Sequence, residues 1–216
     1  MSTCPKVYAL GILSAMLGEG TCKTLTVIYS EGEYENENSD EVEKPYYVFT
    51  DGKWKTIAVP NFQGVWNPEN NCHYIVSVGF EGRKTLRSVS EKDPDKVSIL
   101  FPRPGFKQEY VDTALSENHR LFEKYCIPER NFVYAHAADA ISAWRQLSIK
   151  KIDKNLRENT YFLCCGTKPH AIGIGLRALN ASYPFVCYNI PEEHKFNDTF
   201  PSGVFWKYVI TDLAFI

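Results

Sequence analysis

The residues best suited to chemistry lie in the segment from Gly166 to His170. Glycine lets the backbone approach a ligand closely, and a helix N-terminus offers free N–H groups and the positive end of a dipole. The hydroxyl of Thr167, the ammonium group of Lys168 and the imidazole of His170 would add hydrogen-bond donors. The pattern predicts a site for an anion such as phosphate. A glycine followed by a threonine that caps the next helix is the ordinary alternative at a strand-to-helix turn.

A second loop combines two glycines with an aromatic ring, a carboxylate and two cations. The ring could stack on a base, the carboxylate could act as a base or bind a ribose hydroxyl, and the cations could hold phosphate. The spacing is neither GxGxxG nor GxxxxGK[ST], so it predicts neither a dinucleotide fingerprint nor a P-loop. A tight turn at the start of a helix is the alternative interpretation. The residues of this loop are Gly79, Phe80, Glu81, Gly82, Arg83 and Lys84.

Arg103, Cys165 and the pair His136 and Asp139 are also candidates from the sequence. Arg103 stands between two prolines, where a rigid loop could aim it at a ligand or leave it as a surface arginine. Cys165 is the thiol that a ligand could touch, and as a nucleophile it would need a nearby base and a lowered pKa. His136 and Asp139 could form a catalytic pair, but a helix cap is the favoured interpretation of Asp139.

Strands and helices alternate from residue 71 to residue 216, and this alternation determines where the loops lie. It predicts an α/β fold with a Rossmann-like, doubly wound, mostly parallel sheet and helices on both faces. In such sheets ligands bind outside the carboxyl ends of the strands, where the strand order reverses. We therefore expect the candidate site at three loops, 2–6, 79–84 and 165–170, with the last two facing each other. The expected strands cover 73–78, 97–101, 132–135, 160–164, 185–188 and 204–210.

Residues 1–70 predict a smaller, incomplete α/β segment ahead of this domain. A helix is expected over 7–17, with Ser2 or Thr3 as its N-cap, followed by a strand over 24–29. Because a helix precedes the first strand, the segment resembles a βαβ unit that lacks its first strand. Either Met1 begins a fragment, or a neighbour supplies the missing strand. A native start after a short coil is an equal alternative.

The rest of this N-terminal segment is expected to be a loop and a hairpin. Residues 31–44 are acidic and rich in Asn, Ser and Gly, which is typical of a solvated loop. The apolar runs at 46–49 and 54–59 flank Asp51-Gly52, a pair that favours a hairpin turn.

Composition excludes several classes of function. The chain has 24 basic and 26 acidic side chains and a formal net charge of −2, which argues against a general binder of duplex nucleic acid. Its seven cysteines show no CxxC spacing, so they predict no zinc site and indicate free thiols in a reducing cytoplasm. No apolar run approaches the roughly 18 residues of a membrane span. We expect a cytoplasmic protein with no membrane contact, no metal and no cofactor.

The segment from Leu163 to Ala171, LCCGTKPHA, resembles the CRISPR-associated Rossmann fold (CARF) family. Members often carry Gly-Gly-Thr-Lys before an apolar helix, and here Cys165 replaces the first glycine. The resemblance covers residues 73–216. It implies that Gly166, Thr167 and Lys168 hold phosphate and ribose opposite the loop at 79–84. It also implies a homodimer that binds a cyclic oligoadenylate and signals to a separate effector protein.

Three functions remain open from the sequence. The first is a nucleotide-sensing domain that binds a cyclic oligonucleotide in a prokaryotic CRISPR or antiviral defence system. The alternative is an enzyme, a nucleotide-phosphate hydrolase or metal-independent ring nuclease that acts on cyclic oligoadenylate. Its candidate catalytic residues are Lys168, His170 and Glu81. A second alternative is a non-catalytic structural subunit whose loops are ordinary turns.

Overall fold

The structure is a computed structural model that describes residues 5–18, 24–34, 49–150, 158–181, 184–194 and 199–211. The helices of these residues are α1 (Lys6–Gly18), α2 (Gly82–Ser90), α3 (Gln108–Lys124), α4 (Ala140–Lys150) and α5 (Lys168–Ala181). Their strands are β1 (Thr24–Tyr34), β2 (Thr50–Ala58), β3 (Asn71–Ser77), β4 (Lys96–Pro102), β5 (Phe132–Ala135), β6 (Glu158–Cys164), β7 (Phe185–His194) and β8 (Thr199–Thr211).

Six strands form the main sheet, in the order β2-β7-β6-β3-β4-β5. The last five of these are parallel, and β2 adds an antiparallel edge beside β7. Numbered along the chain, the parallel strands follow the order 3-2-1-4-5 of a doubly wound Rossmann-like sheet. The strand order reverses between β3 and β6. The predicted fold class is therefore confirmed.

Helices cover both faces of this sheet. On one face Ile75, Leu100 and Phe162 pack in a buried cluster with Leu10 of α1 and Ile174 of α5. On the other face the alternate strand residues pack against α2 and α3, in a cluster that includes Val89 and Leu121. The strands alternate their side chains between two apolar layers, which explains why they are apolar almost throughout. None of the helices in the described ranges is long and apolar enough to cross a membrane.

The expected hairpin at Asp51-Gly52 is wrong. Both residues lie within β2, which pairs along its length with β7. The register shifts between Asp51 and Trp54, and Gly52 has a φ of 68° there. An Asp-Gly pair accommodates a positive φ, and this suits a bulge in a strand as well as a hairpin turn. Residues 46–48 of the expected hairpin lie outside the described ranges.

The strand expected at 204–210 is present, but it does not join the main sheet. It belongs to β8, which pairs antiparallel with β1 in a separate two-stranded ribbon. β1 itself continues to Tyr34, so the first residues of the expected acidic loop are strand residues paired with β8. Residues 35–44 of that loop lie outside the described ranges. So do the expected N-caps Ser2 and Thr3.

Candidate functional site

The loops that follow β3 and β6 are in contact at the point where the strand order reverses. Ser77 and Cys164, the last residues of the two strands, are register partners. The backbone N–H of Cys165 donates to the Ser77 carbonyl oxygen at 3.0 Å, and the N–H of Gly166 donates to Ser77 Oγ at 3.0 Å. The structure thus brings together the two loops whose proximity the sequence predicts. We call this region, formed by 79–84, 165–168 and Lys6, the switch-point site.

Glycine allows a close approach at both places where these loops touch, and the approach is closer at Gly166 than at Gly79. A Cβ on Gly166 would overlap Ser77 Oγ and lie 2.7 Å from the Val78 carbonyl oxygen. A Cβ on Gly79 would lie 3.0 Å from the Cys165 carbonyl oxygen. The close approach therefore serves the packing of one loop on the other. The N–H of Gly166 already donates to Ser77 Oγ, so in this structure its hydrogen bond is used within the protein.

Glu81 and Lys84, at the start of α2, form hydrogen bonds with Thr50, the first residue of the edge strand β2. The Oε1 atom of Glu81 accepts hydrogen bonds from the N–H of Thr50 at 3.1 Å and from its hydroxyl at 2.5 Å. The ammonium group of Lys84 donates to the Thr50 carbonyl and lies 3.3 Å from Glu81 Oε1. Trp54 donates its ring N–H to the Thr50 hydroxyl at 2.9 Å, and Lys84 lies 5.7 Å from the centroid of its ring. The site therefore contains an oriented carboxylate beside an ammonium group.

Lys6, the first residue of α1, is part of the same site. Its ammonium group donates to the Cys165 carbonyl oxygen at 3.2 Å. Burial lowers the pKa of Lys6, and the nearby Cys165, Cys164 and Glu81 act in the opposite direction. The sequence placed Lys6 at the end of the candidate loop 2–6 but gave its side chain no role of its own. The sequence feature that points to this residue is a lysine directly after Pro5, at the start of an otherwise apolar helix.

Thr167 and Lys168 begin α5, the helix that follows the glycine turn. The Thr167 hydroxyl accepts from the N–H of His170 at 3.3 Å and donates to the Ala137 carbonyl at 2.8 Å. Its carbonyl accepts from the N–H of Ala171 at 3.1 Å, so Thr167 is the N-cap of the helix. Lys168 is the first helical residue and is half-buried. A positive side chain thus stands at the positive end of the helix dipole.

The His170 ring is bonded to backbone carbonyls at the end of β5. The side chain is fully buried, and Nε2 lies 3.3 Å from the Ala135 carbonyl oxygen and 3.2 Å from that of His136. Burial lowers the pKa of His170 to about 4, so the ring is neutral at pH 7 and Nε2 carries the donated proton. The ring faces the end of β5. The expectation that His170 contacts phosphate or acts in catalysis stays a prediction, which the buried and hydrogen-bonded ring does not favour.

The Cys165 thiol lies within the site, but its surroundings keep it protonated. Asn189 donates its side-chain N–H to the sulfur at 3.3 Å. Burial raises the pKa of Cys165 to about 11, although Lys6 and the hydrogen bonds from Thr85 and Asn189 act in the opposite direction. A nucleophilic cysteine needs a lowered pKa. The geometry therefore makes Cys165 a lining residue with a neutral thiol.

Phe80 and Gly82 have roles in packing. The ring of Phe80 lies in an aromatic cluster, with ring centroids 5.9 Å from Tyr34, 6.1 Å from Phe49 and 5.6 Å from Tyr110. A Cβ on Gly82 would overlap the Glu117 carbonyl oxygen, so this glycine lets α2 pack closely on α3. The cluster ties β1, the start of β2 and α3 to the loop after β3.

Two of the expected ligand-binding cations lie apart from the others. Arg83 is exposed on α2, where its charge acts on Glu117 of α3. Arg103 is exposed in the loop after β4, and its guanidinium group lies 5.9 Å from the centroid of the Tyr134 ring. The structure therefore brings together Lys6, Lys84 and the start of α5, whereas Arg83, although it belongs to 79–84, is exposed on α2 and Arg103 lies outside the site.

The ribbon of β1 and β8 covers the neighbouring loops at the same edge of the sheet. Tyr29 stacks on Phe106 with ring centroids 6.1 Å apart, and Lys107 forms an ion pair with Glu33 at 3.0 Å. The backbone N–H of Tyr34 donates to the Tyr110 hydroxyl at 3.2 Å. These contacts hold the ribbon over the loop after β4 and the start of α3. Protein therefore occupies this part of the carboxyl edge.

Two comparisons of the chain with known proteins found no relative. No protein-family model matches the chain. No curated protein matches it either.

Proposed function

We propose that the chain is a binding module for a phosphate-bearing nucleotide, with its ligand at the switch-point site. The observation that carries the proposal is the contact of the two glycine loops at the reversal point of a 3-2-1-4-5 sheet. This is the place where doubly wound sheets bind ligands. The resemblance at residues 163–171 refines the proposal to a cyclic oligonucleotide sensor of a prokaryotic CRISPR or antiviral defence system.

The charges of the site support an anionic ligand. The ammonium groups of Lys6 and Lys84 flank Glu81, and Lys168 begins α5 nearby. A phosphate would pair with these ammonium groups through charge-assisted hydrogen bonds. Glu81 would then be placed to accept a hydrogen bond from a ribose hydroxyl.

Binding is favoured over catalysis by the state of the candidate acids and bases. His170 is neutral at pH 7 and bonded to backbone carbonyls at the end of β5, and the Cys165 thiol is protonated. A general acid or base must lie within hydrogen-bond reach of the reacting group. Of the three catalytic candidates only Lys168 and Glu81 stay near the loops. The ring-nuclease alternative therefore lacks the imidazole that it would have used.

Calorimetric titration of the full chain with cyclic and linear oligoadenylates and with ATP tests this proposal. We expect saturable binding of at least one of them. Lys84→Ala and Lys168→Ala should each weaken it about tenfold or more, since each removes a charge-assisted bond of about 1.5–3 kcal/mol. Lys150→Ala is the matched control, because this exposed lysine ends α4 at the opposite edge of the sheet.

The control variant should bind like the wild type. The absence of binding by every nucleotide of the panel would refute the proposal. Equal affinities of Lys84→Ala, Lys168→Ala and the wild type would place the ligand elsewhere.

A further inference from the structure

A cleft lies between the edge strand β2 and the C-terminal end of α2, beside the switch-point site. Its volume is about 380 Å³, which is within the range of pockets that bind small molecules. Trp54 and Thr56 of β2 line it, together with Glu91 at the end of α2 and Glu192 of β7. No residue of this cleft is among the candidate site residues of the sequence.

The Trp54 ring is held in a fixed orientation beside the charged groups of the switch-point site. Its N–H donates to the Thr50 hydroxyl at 2.9 Å. The same hydroxyl donates to Glu81 Oε1 at 2.5 Å and accepts from the Lys84 ammonium group, whose nitrogen lies 5.7 Å from the centroid of the Trp54 ring. Trp54 is half-buried and lines the cleft, so part of its indole ring is accessible from there. An oriented aromatic ring therefore stands next to the ammonium group that is proposed to hold phosphate.

A second set of contacts joins the cleft to the loop after β6. Trp54 and Thr56 are two residues apart in β2, so their side chains lie on the same face of the sheet. The Thr56 hydroxyl donates to Oδ1 of its register partner Asn189 at 2.7 Å. Asn189 in turn donates to the Cys165 sulfur at 3.3 Å. The cleft and the switch-point site are therefore adjoining parts of one surface.

The lining of the cleft offers both donors and acceptors around the ring. Lys53, Lys55 and Lys92 line it, and within the described part of the chain none of their ammonium groups forms an ion pair. The carboxylates of Glu91 and Glu192 supply acceptors in the same cleft. This combination suits a planar heteroaromatic ligand that carries amino groups and ring nitrogens, since both kinds of group find partners here.

We propose that this cleft is the base-binding subsite of the nucleotide site, in which a nucleobase stacks on Trp54 while its phosphate pairs with Lys84. The inference rests on the proposed function and deepens it. Every base has a π-face, so stacking on Trp54 favours a base without selecting one. A ligand that carries phosphate but no base gains nothing from Trp54.

Calorimetric titration of the full chain with ATP and oligoadenylates, and in parallel with ribose 5-phosphate and tripolyphosphate, tests the subsite. Trp54→Ala should weaken the binding of the nucleotides about five- to a hundredfold and leave the affinity for the two base-free phosphates unchanged. Trp54→Phe keeps an aromatic ring and should bind the nucleotides nearly as the wild type does. Trp66→Ala is the matched control, because Trp66 is 59% exposed in the loop between β2 and β3 and does not line the cleft.

Tryptophan fluorescence provides a readout that does not depend on the folding of the alanine variant. A base stacked on an indole ring quenches its emission. The nucleotides should therefore quench the wild type and Trp66→Phe alike, and this quenching should be lost in Trp54→Phe although the nucleotides still bind.

Nucleotide binding that Trp54→Ala leaves unchanged, or quenching that persists in Trp54→Phe, would overturn the subsite while the proposed nucleotide binding stands. Base-free phosphates that bind as tightly as the nucleotides would overturn it too. The absence of binding by every nucleotide of the panel would refute the proposed function and the subsite together.

Discussion

At the scale of single residues, what a side chain can do depends on which of its polar atoms the protein already uses. The Thr167 hydroxyl is engaged in capping, and the His170 ring is bonded to the carbonyls that follow β5. Lys6 donates to the Cys165 carbonyl, and Lys84 donates to the carbonyl and hydroxyl of Thr50 and pairs with the Glu81 carboxylate. A phosphate is a stronger partner for ammonium than a carbonyl. We therefore expect the proposed ligand binding to depend most on these lysines.

Residue-level predictions from the sequence succeed where the cause is local. Asp139 caps α4, with Oδ1 accepting from the N–H groups of Ile141 and Ser142 at 2.9 Å. This follows from residue type and position alone. The orientation of His170 was not predictable in this way. It depends on the face of α5 that packs against the end of β5, a distant part of the chain.

Two buried histidines make the fold sensitive to acid. Burial lowers the pKa of His170 to about 4. Burial and Lys96 lower the pKa of His73, against the partly compensating effect of Glu158 at 2.8 Å. The unfolded chain takes up these protons near pH 6.5, whereas the folded chain resists until much lower pH. The stability that neutral histidines contribute is thus present above pH 6.5 and is lost as the pH falls towards 4.

We predict that the free energy of unfolding falls between pH 7 and pH 5, and that His170 alone contributes about 3 kcal/mol to this fall by pH 4. Urea denaturation at a series of pH values measures this decline. His170→Gln should make the decline between pH 7 and 5 shallower. His119→Gln is the control, because His119 is exposed and its loss should leave the slope unchanged. A stability that is constant or rises as the pH falls from 7 to 5 would contradict this explanation.

At the scale of elements, the site depends on close contacts between loops and helices. The loops after β3 and β6 fit together because Gly166 has no side chain. Helix α1 lies close to α5 because a Cβ on Gly175 would come 2.6 Å from Leu13 and 2.8 Å from Leu10. This docking places Lys6 beside Cys165.

We predict that Gly166→Ala destabilises the fold by about 1–3 kcal/mol, because its methyl group would overlap the side chain and backbone at the end of β3. Gly11→Ala is the contrasting variant. Gly11 lies inside α1 with nothing within 4 Å of the added Cβ, so alanine should stabilise the helix by about 0.5–1 kcal/mol. Thermal or urea unfolding of both variants checks the two signs. Equal effects of the two substitutions would contradict the proposed packing of the loops.

Element types were predictable from the sequence because strands and helices have different apolar periods. The pairing of each strand with its neighbours in the sheet was not predictable in this way. The bulge at Gly52 has the same sequence signal as a hairpin turn, and the pairing of β1 with β8 joins segments about 180 residues apart. Such pairing depends on the packing of the whole chain, which no local pattern contains.

At the scale of the whole molecule, the fold combines a sheet that follows a common plan with additions at one edge. Five parallel strands in the order 3-2-1-4-5 create the reversal point between β3 and β6. The sequence predicted a doubly wound, mostly parallel sheet from the alternation of strands and helices, but it did not predict the strand order. The additions were not predicted. β2 extends beside β7, and the β1–β8 ribbon lies over the loop that follows β4.

Hydrogen exchange of the full chain, with and without a saturating oligoadenylate, tests the central claim most directly. The account predicts that the ligand slows exchange in peptides that cover 79–84 and 165–171, together with the first turn of α1. Peptides at the opposite edge of the sheet, such as the end of α4 at Lys150, should exchange as before. Protection confined to other parts of the chain, or unchanged exchange in both loops with every oligoadenylate of the panel, would contradict it.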